Sequence, residues 1–400
     1  MKNFKYLLFC ISILVTYSNM EAQHWEDCNK GLDSLTINAL LISGNNMFAG
    51  TDTAGVYLST DEGTTWTQVN NGLLNNVVLS LVVNGDNIFA GTDGGVYRTT
   101  NNGTNWTDVY NGLGNSFIFC LVLKNADIFA GTAGGVYRTT NNGSNWFPES
   151  NGITYLNIIK MAVNGEYIYA GTYGGGIYLS SDNGSTWTNV GKDTTGTVIR
   201  SFGINDTNVF AGTDKEIYLS TNNGLNWTPF IKDMTHLAIR SIVFNGPYII
   251  AGTNSGIYIT KLNDSKWSNI NYDLQYLSIN CLLINGNYIY AGTTNGLYRI
   301  LLDSITTGIK DKITINNDLK ITPNPASDLV TISFNISGRS MVKLEVYSLL
   351  GELVGVVYNG EAEAGSHIVN YRTGNLPIGT YFVTIKNLGE LKSIKMNILK

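Results

Sequence analysis

The sequence predicts an all-β protein, a seven-bladed β-propeller followed by a small C-terminal immunoglobulin-like β-sandwich, and three observations carry that expectation. The tripeptide Ala-Gly-Thr begins at Ala49, Ala90, Ala130, Ala170, Ala211, Ala251 and Ala291. Tryptophan falls at Trp25, Trp66, Trp106, Trp146, Trp187, Trp227 and Trp267, which are all 7 tryptophans of the chain, and both series advance in steps of 40 or 41 residues. The composition suits strands and tight turns, with 44 Gly and 23 Tyr beside only 6 Pro and 14% charged residues. A repeat of this length has the size of one four-stranded propeller blade.

The second unit shows how the strands arise. Val77 to Val83 is apolar and predicts the innermost strand, and Asn84-Gly85-Asp86 predicts a hairpin turn. Asn87 to Thr92 returns, Gly94-Gly95 turns, and Val96 to Thr100 makes the third strand. Asn101-Asn102-Gly103 turns again before the outer strand, Trp106 to Val109. The two series are out of phase at their ends. Trp25 precedes the first Ala-Gly-Thr, and no tryptophan follows Ala291. Trp25 to Leu32 parallels Trp66 to Leu73, so the N-terminus is expected to supply the outer strand of the seventh blade. The propeller then spans 23–302, with a linker over 303–318 and the sandwich over 319–400.

Residues 1–22 read as a signal peptide. Lys2 and Lys5 precede an apolar run from Tyr6 to Tyr17, and Ala22 offers a small residue at a cleavage point before Gln23. The run falls short of the roughly 20 residues of a membrane-spanning helix, so no transmembrane segment is expected once it is removed. Cys10 would leave with the signal. Cys28, Cys120 and Cys281 show no framework spacing and read as small core residues rather than a disulfide set.

The turn before each tryptophan resembles the Asp-box, or BNR repeat, of sialidase-type propellers, Ser-x-Asp-x-Gly-x-Thr-Trp. Ser59 to Trp66 carries it through Asp61, Gly63 and Trp66, and Ser180 to Trp187 through Asp182, Gly184 and Trp187. Three further units have Asn for Asp, and Thr260 to Trp267 has lost the Gly as well. The resemblance implies a structural role: a short acceptor caps backbone amides, Gly takes a left-handed turn, and Trp packs between blades. The whole unit, with Gly94 to Thr100, is also similar to the photosystem-assembly-factor type of propeller repeat.

The tail carries a second resemblance. Ile321-Thr322-Pro323-Asn324-Pro325-Ala326, then alternating strands, Leu349-Leu350-Gly351-Glu352 and Leu376-Pro377-Ile378-Gly379-Thr380-Tyr381 occur in that order. Together they are similar to the type A C-terminal sorting domain of the type IX secretion system of Bacteroidetes. The resemblance implies the type IX machinery as partner and a destination outside the cell or on the outer-membrane surface.

Ligands of propellers enter at the channel mouth on the face opposite the Asp-boxes, so site residues are sought there. Arg200 and Arg240 each lie eleven residues before the Ala of their Ala-Gly-Thr, at the start of adjacent innermost strands, and Lys160 falls one position later in the preceding blade. With Asp214 and Tyr173 they form a candidate pocket for an acidic group, which a guanidinium fork holds bidentately. The competing reading has Arg200 and Asp214 neutralising each other as wall residues. Asp52 and Asp93 could form an acid–base pair or a cation site, or could cap turns. Tyr155, His236 and Tyr276 share the same face and could stack on sugars.

Other chemistries find little support. Arg98, Arg138 and Arg299 occupy one register on third strands, which reads as a repeat feature and not as the converging arginine triad of a sialidase. Three scattered histidines give no metal site, and no cofactor motif is present, so neither is expected. A net charge of −5 gives no general attraction to nucleic acid. Unit length varies by a single residue, leaving no room for the irregular insertions that usually house a propeller enzyme's chemistry. The sequence therefore reads as an exported, non-enzymatic binding or scaffold protein for an extracellular glycan or protein. The alternative is a glycan-active hydrolase or lyase on an Asp-box propeller.

Overall fold

A computed structural model describes residues 24–32, 34–191, 196–230, 234, 237–264, 266–308, 319–336, 340–349, 351–387 and 390–399. The expected signal peptide, His236 and residues 309–318 of the expected linker lie outside them. The chain divides into two compact units that meet between Ile305 and Thr306.

The first unit contains seven four-stranded antiparallel sheets. In the third, Ile118–Lys124 pairs with Asp127–Thr132, which pairs with Gly135–Thr139, which pairs with the short Phe147–Pro148. The first turn of every blade needs a left-handed residue. Gly44, Gly85, Gly165, Gly246 and Gly286 meet it, while Asn125 and Asp206 adopt the same conformation in the third and fifth blades. Short polar side chains are the ones that tolerate it next best.

Packing explains the Ala-Gly-Thr motif. All seven alanines are fully buried. A Cβ at the glycine would press on the β-branched residue of the next blade, as Gly91 would on Ile118 at 2.8 Å and Gly252 on Ile279 at 2.7 Å. The threonine hydroxyl caps the following turn in every blade, for example Thr92 Oγ1 to the Gly95 carbonyl at 2.9 Å and Thr293 Oγ1 to that of Gly296 at 3.0 Å. One side chain closes the turn, one absence lets the blades approach, and one methyl fills the gap between.

The last sheet is assembled from both ends of the unit. Glu26–Asp27 pairs antiparallel with Gly296–Leu301, which continues to Tyr288–Thr293 and Ile279–Asn285. Glu26 bridges to Arg299 at 2.7 Å, and Asn29 accepts the Leu297 N–H at 2.7 Å. Next to this strand, His24 pairs with Asp273, and Trp25 donates its indole N–H to the Ile270 carbonyl at 2.8 Å.

Where the sequence suggested a linker from Asp303, Leu302–Gly308 form a short helix. Ile305 is fully buried, and Asp303 sits in the first turn, where the helix dipole favours an acid. Buried apolar contact outweighs the polar composition that suggested a connector.

The second unit is a sandwich of a three-stranded and a four-stranded antiparallel sheet. The first contains Lys320–Thr322, Leu329–Ile336 and Gly365–Arg372; the second contains Leu353–Ala362, Ser340–Ser348, Gly379–Asn387 and Glu390–Ile398. Val330, Ile332, Phe334, Leu344, Val346, Val383, Ile385 and Met396 interleave in its core. Glu345, covered by its neighbours, is held by Lys343 at 2.7 Å and Lys386 at 3.1 Å, and these partners bring its carboxyl down to about 2.

Candidate functional site: the mouth of the propeller channel

The innermost strand of every blade begins with the same irregularity. Its register shifts by one residue between Ile37 and Ala39, Val78 and Ser80, Ile118 and Cys120, Ile158 and Lys160, Ile199 and Ser201, Ile239 and Ser241, and Ile279 and Cys281. A bulge of this kind re-aims a side chain out of the pleat. The re-aimed residues are Asn38, Leu79, Phe119, Ile159, Arg200, Arg240 and Asn280, one from each blade. With Lys160 they line one cavity of about 210 Å³. Arg200, Arg240 and Lys160 thus come together as expected.

The ring is uneven. Leu79, Phe119 and Ile159, from blades two to four, make an apolar arc. Arg200 and Arg240, then Asn280 and Asn38, make a polar arc on the other side, and Lys160 lies where the two meet. Among the described residues no carboxylate lines the cavity. Arg240 Nη1 donates to Ser278 Oγ at 3.0 Å and Asn280 Oδ1 at 2.7 Å, both neutral acceptors. Arg200 Nε is buried without a hydrogen-bond partner. Burial, followed by the charge of Arg200, lowers the pKa of Arg240.

Asp214 and Tyr173 do not join the cavity. Asp214 Oδ1 accepts the Val198 N–H at 3.1 Å, and its own N–H donates to the Val198 carbonyl at 3.2 Å. Its carboxylate is committed to capping a turn rather than to neutralising Arg200, because an Asp after a strand meets local amides first. Tyr173 is 61% exposed and makes an isolated bridge with Val198. Asp52 accepts from Asn38 Nδ2 at 3.3 Å, and the Asp93 N–H donates to the Val77 carbonyl at 3.3 Å. Among the described residues no cluster of three His, Cys, Asp or Glu could hold a metal ion.

Sequence reasoning picked two of the seven bulge residues because they are charged. The other five, Asn38, Leu79, Phe119, Ile159 and Asn280, stand in the same register, eleven residues before each Ala. Reading that register across all blades would have found the whole ring.

The remaining arginines behave as the repeat suggested. Arg138 bridges to Asp127 at 2.6 Å, Arg299 to Glu26, and Arg98 donates to the Asn142 carbonyl at 3.2 Å. On the opposite face, Asp61 Oδ1 accepts from Thr65 N at 2.8 Å and Oδ2 from Thr65 Oγ1 at 2.6 Å, while Gly63 N donates to Ser59 Oγ at 2.8 Å. These bonds, led by the Thr65 hydroxyl, bring the Asp61 carboxyl down to about 2. Asp182 repeats the arrangement with Thr186 and Ser180, beside Gly184 at φ +88°. Trp66 and Trp187 are buried, and Trp187 donates across to the Glu149 carbonyl at 2.8 Å.

The family of secretion-system C-terminal sorting domains matches residues 320–400, the whole of the sandwich. The chain carries a type IX sorting tail. That tail engages the secretion machinery and marks the protein as exported, to the outer-membrane surface or beyond. Among the described residues no helix is long and apolar enough to cross a membrane. No curated relative matches the chain.

Among solved structures, the extracellular domain of a hybrid two-component system from B. thetaiotaomicron is 17% identical, with a TM-score of 0.59. It matches over 91% of this chain and 55% of its own. PorZ, a surface component of the type IX secretion system of Porphyromonas gingivalis, is 16% identical, with a TM-score of 0.52 over 91% of this chain and 59% of its own. YCF48 with D1 peptide bound is 13% identical, with a TM-score of 0.58 over 70% of this chain and 98% of its own. The chain spans little more than half the length of the first two, and at these identities the likeness is one of fold.

Proposed function

We propose that this chain is an exported, non-enzymatic binding module that receives an acidic ligand at the channel mouth of its propeller. One observation carries the reading: Lys160, Arg200 and Arg240 line a single cavity to which the described residues contribute no carboxylate. Half-burying cations without counter-charge costs stability, and a wall built only for shape would be cheaper with neutral side chains. Elsewhere in the propeller Arg138 and Arg299 are matched by carboxylates, while Arg98 donates to the Asn142 carbonyl. The unmatched pair at the mouth instead offers guanidinium forks to a carboxylate or phosphate that arrives from solvent. The sorting tail puts that encounter outside the cell. Propellers of the same fold include YCF48, solved with a bound peptide, and PorZ, a cell-surface component.

A glycan-active enzyme would want two carboxyl groups facing one space. Asp52 is engaged by Asn38, and neither Asp52 nor Asp93 lines the cavity. The test is an array of acidic and neutral oligosaccharides and of small anions, incubated with the purified chain, with the products analysed afterwards. Retention of anions by the wild type, but not by the Arg200→Gln/Arg240→Gln variant, is the expected result. Product formation would overturn the non-enzymatic reading, and indifference to charge would overturn the site.

A further inference from the structure

From the unevenness of the ring we infer that the ligand is an amphiphilic acid, a carboxylate carried on an aryl or short acyl body; the inference rests on the anion-binding reading above. Seven equivalent positions open on one cavity, and the chain fills them with two chemistries kept apart. A site for a small hydrated anion such as phosphate would want donors around its whole circumference. Here three successive blades present Leu79, Phe119 and Ile159 instead, facing the arc of Arg200 and Arg240. An apolar wall opposite a cationic one is complementary to a molecule whose charge sits at one end.

The apolar arc also continues outward. The Phe117 ring, 38% exposed in the loop entering the third blade, lies 4.6 Å from that of Phe119, centroid to centroid. In the corresponding loop of the next blade, Tyr155 and Leu156 are 50% and 45% exposed. The bulges that carry Arg200 and Arg240 are flanked by Ile and Ser, and Tyr276 and Leu277, 37% and 41% exposed, stand in the corresponding loop of the seventh blade. The volume is sufficient: about 210 Å³ exceeds the roughly 150 Å³ that holds a benzene ring in an apolar cavity. An acid head held by the guanidinium pair would leave its aryl or acyl body against Phe119, with Phe117 shielding the outer edge. Asn280 and Asn38 complete the polar arc. Asn280 is committed to Arg240 and the Ile37 carbonyl, and Asn38 donates to Asp52 and the Val78 carbonyl, which leaves the Asn38 side-chain oxygen to a donor on the ligand.

Calorimetric titration of the purified chain with 3-phenylpropanoate, acetate, glucuronate and 3-phenylpropanamide tests this directly. Binding of 3-phenylpropanoate at least tenfold tighter than acetate or glucuronate, with no measurable binding of the neutral amide, is the expected pattern. Phe119→Ala should remove most of that preference while leaving acetate affinity within about twofold, and the ligand series on the wild type decides the matter even if that variant folds poorly. If acetate or glucuronate binds as well as 3-phenylpropanoate and the arginine variant loses all three, the amphiphile inference is overturned and the anion site stands. If none of the acids binds, the anion site itself is lost.

Discussion

The two faces of the propeller are built from the same repeat yet treat their polar groups in opposite ways. At the Asp-box face, hydroxyl, carboxylate and amide close on one another within each turn, as Ser59, Asp61, Gly63 and Thr65 do. Where Asn replaces Asp, as at Asn101 and Asn141, the bond to the amide four residues on survives at 2.9 and 3.0 Å. At the channel mouth the bulge residues are Asn, Leu, Phe, Ile, Arg, Arg and Asn, and one guanidinium nitrogen is left without a partner. The backbone is constrained at both faces, but only at the mouth does it leave the side chain free to vary. One face closes its polar groups on itself; the other leaves them open to the channel.

That contrast can be broken or sharpened by substitution. The largest effect is expected on the Asp-box side, at the junction of blades one and two. Gly72 has φ +82°, and a Cβ there would overlap the carbonyl oxygen of Trp106 in the next blade, a backbone atom that cannot step aside. Gly72→Ala should cost about 3 kcal/mol in chemical denaturation. A cost under about 1 kcal/mol would mean that the blades can slide apart and that the junction is not rigid.

Next comes the mouth. Arg200→Gln/Arg240→Gln should weaken anion binding by about tenfold to a hundredfold, because charged hydrogen bonds are lost. Stability should stay level or rise by about 1 kcal/mol, because two half-buried like charges are removed. A clear fall in melting temperature would move these arginines into the structural class.

Asp61→Ala should cost about 1 kcal/mol, in line with other capping acceptors, and Asp61→Asn clearly less, since Asn serves in the neighbouring boxes. Equal losses from both variants would show that the charge matters more than the cap. The smallest expected effect is in pH. The Asp61 carboxyl is depressed to about 2 by bonds made only in the folded turn, so its contribution is complete above the ordinary carboxylate range near about 4 and fades as pH falls toward 2. Asp61→Asn should flatten that part of the stability–pH curve. An unchanged curve would remove Asp61 from acid sensitivity.

Much of the fold was legible because the constraints recur. An Ala, a Gly and a Thr that each solve a packing or turn problem in every blade must reappear at every blade, and seven appearances are a count. The count does not need every box intact: Trp267 keeps its spacing although its box lacks the Gly. The short helix at Leu302 was not legible, since its signal is the full burial of Ile305, which composition does not report.

The sequence by itself determined the blade count, the strand plan of each repeat and the sorting tail, because periodic spacing and short ordered motifs report local geometry directly. Only the tertiary structure decided what the channel mouth is. Closing the ring brings seven positions, each about 40 residues from the next, around one cavity, and separates their apolar and cationic members into two arcs. It also took Asp214 away from Arg200 and gave it to a turn. Which charges end up without partners is a property of distances in space, and spacing along the chain does not contain it.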